Sequence, residues 1–112
     1  MDVGSNCLSG VLPSELGFMN KLTYLDLSNN KLISVIPTEI GFLKSLVILD
    51  IQLNMMTGSL PTELGNLTQL AYLSTAGSAF QGIFPREIGN LIKLKILNLL
   101  NNKLTEIGRA HV

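Results

Sequence analysis

The chain has 112 residues, and eight Lys and Arg balance eight Asp and Glu, so its formal net charge is zero. No overall basic field is present to draw nucleic acid or an anionic membrane, and a single cysteine excludes an internal disulfide and a cysteine zinc cluster. Hydrophobic residues make up 46% of the chain but aromatic ones only 5%, with no Trp, so any core is built from Leu and Ile.

Pro13, Pro37, Pro61 and Pro85 recur at a step of 24 residues, and Gly17, Gly41, Gly65 and Gly89 keep the same step. So do Glu15, Glu39, Glu63 and Glu87. Markers that recur in phase define an array of one supersecondary unit. Residues 1–21 are the tail of one unit, 22–45, 46–69 and 70–93 are whole units, 94–105 begin another, and 106–112 form an unpatterned tail. No linker divides the array, which reads as one domain. Met1-Asp2 starts no basic-then-apolar leader, and no apolar run approaches the ~18 residues of a membrane span, so a soluble chain is expected. Its first residue already sits at a strand position, and Ile107-Gly108-Arg109-Ala110 stands where a proline turn belongs. A stack without caps exposes apolar ends, so the chain is expected to be a piece of a longer protein.

Each unit opens with a strand. Leu25-Asp26-Leu27, Leu49-Asp50-Ile51 and Leu97-Asn98-Leu99 alternate apolar and polar residues with the period of a half-buried strand. Strands joined by a return segment in every unit must run parallel. An asparagine follows each strand at Asn6, Asn30, Asn54 and Asn102. Its amide both donates and accepts, so stacked copies should form an interior ladder that satisfies the turn backbone. A large apolar residue comes next, at Leu8, Leu32, Met56, Phe80 and Leu104. The return begins at the prolines, which can start a helical turn. Glutamate follows near the positive end of that turn, and glycine is expected to stop it after about four residues. A short 3₁₀ or single α turn is predicted. Leu16, Ile40, Leu64 and Ile88, with Met19, Leu43, Leu67 and Leu91, should point inward from it.

These residues resemble leucine-rich repeats of the 24-residue plant type. The pattern LxxLxLxxNxLxGxIPxxLGxLxx is matched almost completely by Leu46 to Gln69, and the likeness covers about residues 1–105. The resemblance implies an α/β right-handed solenoid, with a parallel sheet on the concave side and short 3₁₀ or helical turns on the convex side. It also implies a second short strand near Gly58-Ser59-Leu60-Pro61. In such proteins the array usually forms the ectodomain of a receptor kinase, a receptor-like protein or a secreted inhibitor, and binds proteins or peptides. Three residues depart from the pattern: Ser34 replaces a turn glycine, Ser78 replaces the ladder asparagine, and Thr75 stands for a core leucine. Unit 70–93 is therefore expected to be the least rigid part of the sheet.

Outward strand positions line the concave face. One column holds Tyr24, Ile48, Tyr72 and Ile96, and the next holds Asp2, Asp26, Asp50, Ser74 and Asn98. A third holds Ser28, Gln52, Ala76 and Leu100. Tyrosines beside aliphatic groups suit an amphipathic anchor for a protein or peptide partner, and the acids suit a Lys, Arg or amino terminus. Against that, Asp is common between the strand leucines of this class, and Tyr and Ile follow ordinary strand propensity. Asn66-Leu67-Thr68 matches an N-glycosylation acceptor, though the repeat pattern generates the same letters. Cys7 reads as a turn residue, and His111 lies in the tail with no identifiable base or metal role. No catalytic constellation assembles, so the chain is expected to be no enzyme and to carry no cofactor or metal. The aspartates stand on an open face with too few oxygens for Ca²⁺. The readings carried forward are a receptor-like recognition module, a soluble intracellular scaffold or adaptor, and a recruiting segment of an enzyme whose catalytic domain lies elsewhere.

Overall fold

A computed structural model describes residues 4, 9–100 and 102–105. The readings at Asp2, Asn6, Cys7, Leu8 and His111 lie outside the described residues. In chain order the elements are β1 (Ser9–Val11), η1 (Ser14–Phe18), β2 (Tyr24–Asp26), β3 (Lys31–Ser34), η2 (Thr38–Phe42), β4 (Ile48–Asp50) and β5 (Met55–Met56). There follow η3 (Thr62–Asn66), β6 (Tyr72–Ser74), β7 (Gln81–Ile83), η4 (Arg86–Asn90), β8 (Ile96–Asn98) and β9 (Lys103–Thr105). Each η element is a 3₁₀ helix of five residues. Among the described residues no helix is long and apolar enough to cross a membrane.

The main sheet runs β2-β4-β6-β8, all parallel. Its register equals the sequence period: Leu25 faces Leu49, which faces Leu73, which faces Leu97. Backbone bonds extend the ladder past the strand ends, as in Asn29 N–H to Gln52 O at 3.0 Å and Leu53 N–H to Ala76 O at 2.8 Å. One continuous core runs from Leu16 to Leu91 behind this sheet. The inward turn residues Ile40, Leu43, Leu64, Leu67, Ile88 and Leu91 are buried as expected. Met19 differs: it is 41% exposed in the first described turn.

The glycines of the turns do not end them. Gly17, Gly41, Gly65 and Gly89 lie within the 3₁₀ segments and are not among the residues of positive φ. Each turn ends two residues later, at Met19, Leu43, Leu67 or Leu91, with φ −86° and ψ 69° at Leu67. Thr68 N–H donates to Asn66 O at 3.0 Å across that residue, an inverse γ-turn. The glycines serve stacking instead. A Cβ on Gly65 would lie 2.6 Å from Glu87 O and 2.8 Å from Glu87 Cβ in the next coil. Gly17 and Gly41 face Glu39 and Glu63 in the same way, at 3.0 Å. Nothing among the described residues lies within 4 Å of that position on Gly89. Gly65→Ala should therefore cost about 1–3 kcal/mol by forcing two coils apart, and more than Gly41→Ala, where the nearest atom lies at 3.0 Å rather than 2.6 Å. Urea midpoints of the two variants check the contrast, and equal losses would refute it.

A second set of strands follows the turn asparagines, as β1-β3-β5 and, separately, β7-β9. In the unit 46–69 this strand is Met55–Met56, upstream of the Gly58-Ser59-Leu60-Pro61 stretch expected to hold it. Its register is also shifted. Ile33 pairs with Met55 and Gly82 with Leu104, a separation of 22 residues where the main sheet has 24. A two-residue slip is about 6.6 Å along a strand, and being even it leaves every side chain on its own face.

Between the sheets runs the asparagine ladder. Asn54 Nδ2 donates to Leu27 O at 2.9 Å and Ile51 O at 3.1 Å, while its Oδ1 accepts Leu32 N–H at 3.1 Å. Asn102 repeats this with Thr75 O at 2.7 Å and Phe80 N–H at 3.1 Å. Asn30 Nδ2 donates to Leu27 O at 2.9 Å. The ladder breaks at Ser78, whose Oγ is buried with no partner among the described residues. Backbone bonds still join the second-sheet segments across this place, Ala79 N–H to Met56 O and Gln81 N–H to Gly58 O, each at 2.9 Å. A hydroxyl is too short to span two coils, as the amide does elsewhere. Ser34 lies within β3, which spans four residues.

Candidate functional site

The concave sheet brings the predicted columns together. Tyr24, Ile48, Tyr72 and Ile96 stand in direct register on β2, β4, β6 and β8. Parallel neighbours are about 4.8 Å apart, so the four side chains form an unbroken strip. Tyr24 is 38% exposed and Ile96 54%, with Ile48 and Tyr72 half-buried between them. Leu100, 69% exposed, extends the apolar surface beyond β8.

The polar column is largely occupied with the sheet's own backbone. Asp26 Oδ1 accepts Ser28 N–H at 2.9 Å and Ser28 Oγ–H at 2.6 Å. Asp50 Oδ1 accepts Gln52 N–H at 3.2 Å, and its Oδ2 accepts Gln52 Nε2–H at 3.1 Å. Asn98 Oδ1 accepts Leu100 N–H at 3.2 Å. These i to i+2 bonds are Asx turns that hold the chain as it leaves each strand, so the acids have a structural task. Tyr24 O–H also donates to Asp26 Oδ2, at 3.4 Å. Ser74, expected on this exposed column, is fully buried and its Oγ has no partner among the described residues. Its side chain is too short to rise between Asp50 and Asn98, its register neighbours. The Ser74 hydroxyl is therefore not part of the exposed surface of the sheet.

Burial raises the Asp50 carboxyl above its ordinary value of 3.8. The Gln52 backbone N–H opposes this, the Asp26 charge on the adjoining strand adds to it, and the Gln52 side chain opposes it again. An acid whose folded pKa is raised binds its proton more tightly when folded, so ionising it weakens the fold. The penalty is absent below pH 3.8 and appears as pH climbs through the raised value. Asp50→Asn keeps an oxygen for Gln52 N–H, as Asn98 does for Leu100, and removes the charge. It should raise the melting temperature at pH 7, and the gain should vanish near pH 3. A gain of the same size at both pH values would show that charge is not its origin.

Leu53 is a surface residue that the sequence did not single out. It is 50% exposed, at φ 57°, where the equivalent residues are Asn29, at φ 56°, and Gly77, at φ 68°. A leucine in the left-handed region is uncommon, and its Cδ2 lies 2.6 Å from where a Cβ on Gly77 would be. The readable signal was an apolar side chain in the register of Asn and Gly. Asn66 ends η3 on the turn side of the molecule, and both it and Thr68 are exposed. Among the described residues no three His, Cys, Asp or Glu side chains gather as a metal site. The arrangement is chemically a contact surface: an apolar strip with phenol edges, flanked by carboxylates already hydrogen-bonded.

A family profile described as "Leucine-rich repeat region" matches residues 3–109. No curated protein matches the chain in sequence. Among solved structures, the BIR3–SERK2 complex from Arabidopsis thaliana is similar at 33% identity and TM-score 0.90, over 95% of this chain and 57% of that one. PEPR1 with AtPEP1 is similar at 38% identity and TM-score 0.92, over 95% of this chain and 15% of that one. The Arabidopsis receptor kinase HAESA ectodomain, in complex with an extended IDA peptide hormone, shares 35% identity at TM-score 0.83, over 86% of this chain and 16% of that one. The chain thus spans little more than half of the first of these and about a sixth of the other two.

Proposed function

Because the chain belongs to the leucine-rich repeat family, we propose that it is a protein- or peptide-binding array of a receptor-like protein, with the Tyr24-Ile48-Tyr72-Ile96 strip as its contact. The observation that carries this reading is the register, which turns four separate side chains into one continuous amphipathic strip on an open sheet. Phenols and aliphatic groups supply contact area at little entropic cost, and a tyrosine hydroxyl adds direction. The similar structures lend support, since one of them holds a peptide hormone and the other two each join two named partners. Asp26 and Asp50 rim the strip and favour a cation on the partner, at reduced strength because their oxygens are already bonded.

A random-peptide display selection on the immobilised chain tests the proposal. Selected peptides should lose at least a hundredfold in affinity for the triple variant Tyr24→Ala, Ile48→Ala, Tyr72→Ala, with its circular dichroism unchanged. Undiminished affinity for a folded triple variant would place the contact elsewhere and end the proposal.

A further inference from the structure

A second surface lies on the turn side, away from the sheet. Between η1 and η2 is a cleft of about 310 Å³ lined by Ser14, Glu15, Gly17, Phe18, Glu39 and Phe42. Phe18 is 83% exposed and Phe42 61%, the two most exposed aromatic side chains among the described residues. The cleft exists because Gly17 has no side chain. A Cβ there would lie 3.1 Å from Phe42 Cδ2, so the Phe42 ring rests on the backbone of the preceding turn. Both walls carry a glutamate. Among the described residues the only bonds to these carboxylates are long ones from the adjacent hydroxyls, Ser14 Oγ to Glu15 at 3.4 Å and Thr38 Oγ1 to Glu39 at 3.5 Å. Neither acid is therefore committed to the fold as Asp26 and Asp50 are. The equivalents of Phe18 and Phe42 in the next two units are Asn66 and Asn90, and Asn66 Nδ2 takes the place over Gly41 that the Phe42 ring takes over Gly17. The glutamates recur in every turn, but the aromatic pair belongs to these two alone.

We propose that this cleft is a docking site for an arginine side chain of a partner protein, flanked in that partner by aliphatic residues. Charge complementarity selects the occupant: two uncommitted carboxylates favour a cation, and two exposed rings favour a cation with a flat, weakly hydrated face. A guanidinium meets both demands, because it stacks on an aromatic face and forks onto carboxylates, whereas an ammonium is compact and strongly hydrated. The flanking aliphatic residues cover the outer edges of the rings. The site is independent of the concave strip and would let the array hold one partner on its sheet and another on its back.

The test uses acetyl-Leu-Arg-Leu-amide and its citrulline counterpart, titrated into the intact chain with the Phe and Tyr ring signals followed by NMR. The arginine peptide should shift the Phe18 and Phe42 signals and bind at least tenfold more tightly than the citrulline peptide. Glu15→Gln with Glu39→Gln should remove that tenfold difference, and Phe18→Ser with Phe42→Ser should remove the binding. Should the serine variant lose its circular dichroism, the glutamine pair decides. Equal affinity for the two peptides, no ring shifts at millimolar peptide, or shifts confined to Tyr24 and Tyr72 would each overturn the proposal. Because the concave triple variant should still bind the arginine peptide, this site and the strip on the sheet fail separately.

Discussion

Asn54→Ala is expected to lower the stability of the chain by about 3 kcal/mol. The asparagine is buried and joins two coils through both ends of its amide. Truncation orphans Leu32 N–H and removes one donor each from Leu27 O and Ile51 O. A buried group left without its partner costs about 1–3 kcal/mol. Leu27 O is partly protected because Asn30 Nδ2 also donates to it, at 2.9 Å, so the orphaned N–H and the small void carry most of the loss. Asn54→Ser should cost nearly as much, since a serine hydroxyl cannot span the coils, as Ser78 shows. Urea denaturation checks both, read as a shift in midpoint at constant slope. A loss under 1 kcal/mol for the alanine variant would mean that the ladder fills space without holding the coils.

The sequence carried the repeat in full and the geometry only in part. A 24-residue period identifies equivalent residues, and the main sheet pairs equivalents, so the strip from Tyr24 to Ile96 was readable before any coordinates. The second sheet pairs residues 22 apart, and no periodicity encodes that shift, because it follows from how each coil tilts on the next. The turn glycines were misread for a related reason. Glycine after a helical turn suggests a left-handed stop, but here its missing side chain admits Glu39, Glu63 or Glu87 from the following coil. Local motif rules describe one chain segment and are silent about its neighbour in the stack. The aspartate bonds, by contrast, are local: Asp26-Leu27-Ser28 and Asp50-Ile51-Gln52 carry Asx-turn chemistry that a closer reading of i to i+2 pairs reaches. The burial of Ser74 was not reachable in that way, since it depends on the longer side chains at Asp50 and Asn98 on either side.

Repairing the unit 70–93 is expected to stabilise the chain by about 3 kcal/mol. Thr75 is fully buried where the equivalent residues are Leu27, Ile51 and Leu99, and its Oγ1 has no partner among the described residues. Thr75→Val keeps the shape and removes a desolvated hydroxyl, a gain of about 1–2 kcal/mol. Ser78→Asn restores the amide that spans two coils at Asn54 and Asn102, for about another 1–2 kcal/mol. The carbonyls it needs can take it, because Leu27 O already accepts two asparagines, each at 2.9 Å. Residues this close share a cavity, so the two gains need not add. The double variant should melt roughly 15 °C higher, at the ~4–8 °C per kcal/mol usual for a domain of this size. Amide exchange should slow most in the turn from Ala76 to Phe80, where the asparagine ladder is now interrupted. If Thr75→Val is neutral or destabilising, the hydroxyl has a partner in solution and this unit is not the weak joint of the stack. If the double variant melts higher but exchange slows evenly along all four coils, the added stability is global, and the break at Ser78 does not divide the array into separately opening halves.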